Sequence, residues 1–165
     1  MTVRYMKRFF EPRSIAVIGA SERKLSLGGT VLRNLQASGF RGELLAVNPR
    51  GDDQVLGVRR FGSVAALPGT PDLAIVCTSP ARIPAIVHEL GGKKVRAVMI
   101  VMGGLSTPVM NGRDLLGHRV EQGQNLLSFQ LEDGKTLKEA TWEVARQYDM
   151  RIMGPNCIGA LVPAT

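Results

Sequence analysis

The sequence predicts an α/β fold, a Rossmann-like doubly wound sheet that is mainly parallel with helices on both faces. Short apolar runs with no polar alternation, such as "IAVI" at 15–18, "LAIV" at 73–76 and "AVMI" at 97–100, are what strands covered on both faces require. Between them lie segments with one apolar stripe at helical spacing. Each run also ends in small or turn-forming residues, and strands alternating with helices in this way imply right-handed parallel crossovers.

Taken in order, Pro12 marks the entry to a first strand over 14–19, and "GTVLRNLQASGF" from Gly29 places Val31, Leu32 and Leu35 on one helical face, with Gly39 as its stop. "ELLAVNP" is a second strand closed by Asn48 and Pro49. "VLGVRRFGSVAALPGTP" reads as a short edge strand or turn and a single helical turn, ending at Pro68 and Pro71. "DLAIVCT" is a third buried strand, and the following helix starts near Pro80 and stops at Gly91 and Gly92. "VRAVMIVM" is a fourth strand, residues 134–149 form a helix with Leu137, Ala140, Trp142, Val144 and Ala145 as its apolar face, and "MRIMG" is a final short strand. Residues 106–133 have no clean period and read as an irregular insertion.

With 165 residues, of which 44% are hydrophobic, the chain suits one domain with a real core and is too short for two ordinary ones. Residues 1–12 form a basic N-terminal arm, expected to be solvated. No apolar run approaches the roughly 20 residues of a membrane span, and the N-terminus lacks the apolar stretch of a secretory signal, so a cytoplasmic location with no membrane partner is expected. Cys77 and Cys157 stand at no metal-ligand spacing, so no metal site is expected. The net charge of +7 suggests anionic partners. Nucleic acid is disfavoured by the 5% aromatic content and the scatter of the basic residues.

In a doubly wound sheet, ligands bind beyond the carboxyl ends of the strands. That rule selects Gly19-Ala20-Ser21, Asn48-Pro49-Arg50, Thr78-Ser79-Pro80, Met102-Gly103-Gly104 and Gly154-Pro155-Asn156-Cys157. A nicotinamide dinucleotide would call for G-x-G-x-x-G after the first strand and an acidic residue ending the second. Here the glycines after Gly19 are Gly28 and Gly29, and Asn48 stands where the acid belongs. The longer loop and the helix start near Gly28 suit a pyrophosphate, and Lys24 and Arg50 favour a ligand with a further phosphate on its ribose. Among the cations Lys24 is the first candidate; Arg59 and Arg60 read as solvated surface. His88 reads as a partly exposed helix residue, and Trp142 as core.

"SIAVIGAS", "SLGGTVLRNL", "VNP", "PDLAIVCT" with Pro80 opening the next helix, and "MRIMGPNCIG" resemble, in that order, the CoA-binding domain of the NDP-forming acyl-CoA synthetases. That family includes ADP-forming acetyl-CoA synthetase, the succinyl-CoA synthetase alpha subunit and the Pat-type protein lysine acetyltransferases. The resemblance covers about residues 9–163 and implies a domain that binds CoA or acyl-CoA. It implies a phosphate loop from Gly19, Ala20, Ser21, Ser26 and Gly28, with Asn48 and Pro49 at the adenosine end. Thr78, Ser79 and Pro80 would line the pantetheine path, and Asn156 and Cys157 the far end of the site. Met102 and Gly103 join these as candidates on the same edge. Two departures stand out: 106–133 is longer than the usual turn after the fourth strand, and members of the family continue beyond GPNCIG into a domain bearing a phosphorylated histidine. The chain is therefore expected to bind CoA, to complete no reaction alone, and to work with other domains of a larger protein. The lean is slightly to a Pat-type parent. The alternatives are a regulatory NAD(P)-type module and an interaction domain with a vestigial site.

Overall fold

The computed structural model describes residues 5–106 and 134–157. The irregular insertion, apart from Ser106, lies outside the described residues, as do residues 1–4 of the basic arm. The elements run α1 (Lys7–Phe10), β1 (Ser14–Ile18), α2 (Leu27–Ala37), β2 (Glu43–Val47), β3 (Gln54–Val55), β4 (Val58–Phe61), β5 (Leu73–Val76), a 3-10 turn (Pro80–Arg82), α3 (Ile83–Gly92), β6 (Ala97–Ile100), α4 (Leu137–Gln147) and β7 (Arg151–Met153). They build a seven-stranded sheet in the order β3-β4-β2-β1-β5-β6-β7, parallel throughout except for the short edge strand β3, which pairs antiparallel with β4. The expected Rossmann-like doubly wound α/β fold is the one observed.

Strand residues alternate between two cores, as the two-residue period of a strand requires. Ala16, Ile18, Val47, Ala74, Val76, Val98 and Ile100 face the side taken by Ile83, Val87 and Leu90 of α3 and Leu137 and Val144 of α4. Ile15, Val17, Ala46, Ile75 and Met99 face the other side, with Leu32 of α2 and Phe9 of α1. The crossover from β4 to β5 has no helix; it buries Val64 and Leu67 and is fastened by Lys93 Nζ, which donates to the carbonyls of Ala65 at 2.9 Å and Leu67 at 2.7 Å.

The chain runs from β1 outward through β2 to β4, then returns to place β5 on the other flank of β1. The loops after β1 and β5 thus part at the centre of the sheet, which is the switch point where doubly wound folds open a crevice.

Three expectations need correction. α2 begins at Leu27, two residues before the predicted Gly29, because Ser26 caps it: its Oγ accepts the Gly29 N–H at 3.2 Å. The basic arm is not all solvated, since Phe9 is buried and packs on the α2 side of the sheet. Trp142 is half-buried rather than core; the inner face of α4 is filled by Leu137, Ala140, Thr141 and Val144.

Candidate functional site

Five loops leave the carboxyl ends of β2, β1, β5, β6 and β7, which are consecutive neighbours in the sheet. At about 4.8 Å per strand they form a row roughly 20 Å long, suited to an elongated ligand. Each loop selected from the sequence follows one of these strand ends.

The first loop is shaped by close backbone approach. A Cβ on Gly28 would sit 2.2 Å from the Gly19 carbonyl oxygen, and one on Gly29 2.2 Å from that of Ser21. Gly19 itself has φ +90. The first turn of α2 therefore rests directly on the end of β1, a fit that only glycine permits. With Gly29 taken by Ser26, the N–H groups of Leu27 and Gly28 have no intrahelical acceptor, and the positive end of the helix dipole is presented at this loop. Ala20 is fully buried. Ser21 Oγ accepts from the Arg23 backbone at 3.2 Å, and Lys24 is exposed. Leu25, 91% exposed and with φ +64, forms the loop's tip. The acidic Glu22 is drawn aside, its Oε1 accepting the Leu56 N–H of the β3–β4 hairpin at 2.7 Å.

Asn48 is a staple between the first two loops. Its Nδ2 donates to the Ala20 carbonyl at 2.7 Å, and its Oδ1 accepts the Arg50 N–H at 3.0 Å. The amide is thus committed to protein at both ends. Pro49 and Arg50 stand exposed beyond it. Arg60, which the sequence suggests is solvated surface, is instead half-buried and donates from Nη1 to the Asn48 carbonyl at 2.7 Å.

In the loop after β5, Cys77 is half-buried and packs on the α2-side core. Desolvation pushes its thiol up to about 12, so it is no nucleophile. Thr78 Oγ1 is buried without a hydrogen-bond partner. A native hydroxyl left in that state costs free energy until something bonds to it, and its place beside the switch point makes a polar ligand atom a fitting partner. Ser79 is exposed, and Pro80 starts the 3-10 turn. A Cβ on Gly104 would lie 3.4 Å from Pro80 Cγ, and one on Gly103 3.6 Å from Asn156 Oδ1. The last three loops therefore touch in series. Asn156, at φ +59, donates its N–H to the Met102 carbonyl at 3.0 Å, and Cys157 to that of Ile100 at 3.2 Å. Cys157 is half-buried against the α2-side core.

The structure places the five chosen loops side by side and links Asn48 to Ala20, Gly104 to Pro80 and Asn156 to Met102; Ala20 and Asn48 serve as framework there. Sequence reasoning missed Glu22 and Arg60, because nothing in their neighbours announces which backbone groups their side chains reach. Among the described residues no cluster of His, Cys, Asp or Glu could hold a metal, and no helix is long and apolar enough to cross a membrane. His88 lies away from the row, with Nδ1 3.0 Å from the Tyr148 hydroxyl at the α3–α4 contact.

The chain is similar to acetate-CoA ligase (ADP-forming) II subunit alpha of Pyrococcus furiosus, at 35% identity over 153 residues, covering 93% of this chain and 28% of the relative. It is similar at 29% identity to 4-hydroxybutyrate-CoA ligase (ADP-forming) of Nitrosopumilus maritimus, covering 91% of this chain and 18% of the relative. Among solved structures, the dinucleotide-forming acetyl-coenzyme A synthetase 1 of Ca. Korarchaeum cryptofilum, in complex with phosphate and ADP, superimposes with a TM-score of 0.72 at 26% identity, over 93% of this chain and 28% of that one. The chain thus spans less than a third of the length of these proteins. The family model of the CoA binding domain matches residues 13–163, nearly the whole of the sequence, and the chain belongs to the CoA-binding domain family as it occurs in ADP-forming acetyl-CoA synthetase-like proteins.

Proposed function

We propose that the chain holds CoA along the carboxyl-edge row, as one domain of an ADP-forming acyl-CoA synthetase, and that it presents the thiol to chemistry performed by other domains. The observation that carries this reading is the continuity of the row. It runs from cations through free helix N–H groups to an unpartnered buried hydroxyl, in the order that a nucleotide with a long polar arm requires. Lys24 and Arg50 supply charge for the ribose phosphate. The Leu27 and Gly28 N–H groups and the α2 dipole oppose the pyrophosphate. The Thr78 hydroxyl bonds an amide of the pantetheine arm, while Gly103 and Asn156 border its thiol end. The small residues at Gly19, Gly28 and Gly103 let backbone approach the ligand without a side chain between.

CoA supplies the thiol that accepts an acyl group; this chain's residues bind it and orient it. The named relatives favour a synthetase parent over the Pat-type acetyltransferase, and the acyl group is set elsewhere. Calorimetric titration of the 165-residue chain with CoA, with NAD and NADP as controls, tests the reading. Saturable heat with CoA alone, abolished by Ser21→Glu, is expected, since that change puts a negative charge among the phosphate-binding N–H groups. A folded chain giving no heat with CoA overturns the proposal.

A further inference from the structure

One arginine of the edge hairpin turns its charge inward on the β2–β3 loop rather than out to water. Arg60 Nη1 donates to the Asn48 carbonyl at 2.7 Å, its Nε donates to the Asp52 carbonyl, and its backbone N–H donates to the Asp53 carbonyl at 2.8 Å. A single residue thereby ties both ends of the segment 48–53. The segment between, Pro49-Arg50-Gly51, is bent over the side chain: Gly51 has φ +113, and a Cβ there would lie 3.9 Å from Arg60 Cδ. The neighbouring Arg59 takes no part in this, its guanidinium lying over the Phe61 ring at 5.0 Å. A guanidinium fits the task because its rigid planar fork donates to two carbonyls at once, which a lysine ammonium on a flexible stem does not match.

The residue held by this brace is Arg50, exposed at the edge of the candidate site, with its own N–H bonded to Asn48 Oδ1 at 3.0 Å. We infer that Arg60 is a positioning residue that selects for the ribose phosphate of the ligand by fixing the loop that carries Arg50, without itself touching the ligand. The inference rests on the CoA reading above, and it names the part of the ligand that the hairpin recognises.

The test compares CoA with dephospho-CoA, which lacks only the ribose phosphate, on the wild-type chain, Arg60→Met, Arg50→Ala and the double variant. Methionine keeps the apolar stem and removes the donors. Arg60→Met is expected to weaken CoA about tenfold, the worth of one charge-assisted contact, and to leave dephospho-CoA within about twofold. Arg50→Ala is expected to do the same, and the double variant to be no weaker than Arg50→Ala, because the two residues act through one contact. Equal losses for both ligands, or additive losses in the double variant, overturn the inference. Hydrogen exchange at the Arg50 amide, read without ligand, is expected to quicken in Arg60→Met. Unchanged exchange overturns the brace whatever the ligands do. A wild-type chain that binds neither ligand refutes the CoA reading, and the exchange measurement then decides alone whether Arg60 positions the loop.

Discussion

Single residues on the carboxyl edge divide by whether their atoms are spent on protein or left for a ligand. Gly28 is spent: the 2.2 Å approach of an added Cβ to the Gly19 carbonyl is to rigid backbone, so Gly28→Ala must push α2 off β1. A cost of about 3 kcal/mol is expected, at the upper end of ordinary overpacking, and denaturant unfolding measures it. Gly92 is the control, for it closes α3 with nothing within 4 Å of its added Cβ; Gly92→Ala should be neutral or stabilise by about 0.5 kcal/mol. Cys77 is spent in another way. With its thiol pushed up to about 12 by burial, only about one molecule in ten thousand carries the thiolate at pH 8. Cys77 in a Cys157→Ser chain should stay unmodified by a disulfide reagent at that pH until denaturant is added. Thr78 is left over, a buried hydroxyl with no partner, and among the residues chosen from the sequence it is the one whose state in the fold most directly invites a ligand.

Elements show where the sequence speaks and where it falls silent. β1, β5 and β6 are legible because burial on both faces demands unbroken apolar runs, and α4 because its stripe is long. The apolar stripe that marks α2 in the sequence begins only after Gly29, yet the helix starts at Leu27, because Gly28 and Gly29 carry no side chain to show a period and are the helical residues that allow contact with β1. The sequence shows a short edge strand or turn from Val55, but not that β3 pairs antiparallel with β4, since two residues carry no period and their pairing follows from the tight turn at Leu56 and Gly57, with φ +53 and +77. α4 carries the clearest local signal in Thr136 and Glu139, which form a reciprocal capping box. Thr136→Ala should cost about 1 kcal/mol. The Glu139 carboxyl is held below its ordinary range, first by the Thr136 backbone N–H and then by the Thr136 hydroxyl. A lowered folded value means that this cap contributes above the ordinary carboxylate range and is lost as pH falls through the folded value. Thermal unfolding between pH 6 and pH 3 should therefore show a smaller acid loss in Glu139→Gln than in the wild type. An equal loss in both would mean that Glu139 takes no part in acid sensitivity.

At the scale of the molecule, topology does what no motif announces: it lines up into a single edge loops that begin at Asn48, Gly19, Cys77, Val101 and Gly154, far apart in the chain. The loops can be picked from the sequence because the rule for doubly wound sheets says which strand ends matter, but their internal bonds cannot. Asn48 and Arg60 reach across 28 and 12 residues to their acceptors, and such contacts exist only once the sheet order is set. The same topology makes ligand binding and folding one equilibrium, since a site assembled from five strand ends is absent from the unfolded chain. CoA at a hundredfold excess over its dissociation constant should then add about 2.7 kcal/mol of stability, which for a domain of this size raises the melting temperature by roughly 5–10 °C. NAD, lacking the ribose phosphate proposed to meet Lys24 and Arg50, should give little shift at the same concentration. Because the chain carries a net charge of +7 and the cations that would meet the ligand are exposed, the CoA shift should shrink as salt rises from about 0.05 to 0.5 M, where screening shortens from about 14 to about 4 Å. A shift that ignores salt would place the binding energy in uncharged contacts such as the buried Thr78 hydroxyl, and would take Lys24 and Arg50 out of the site.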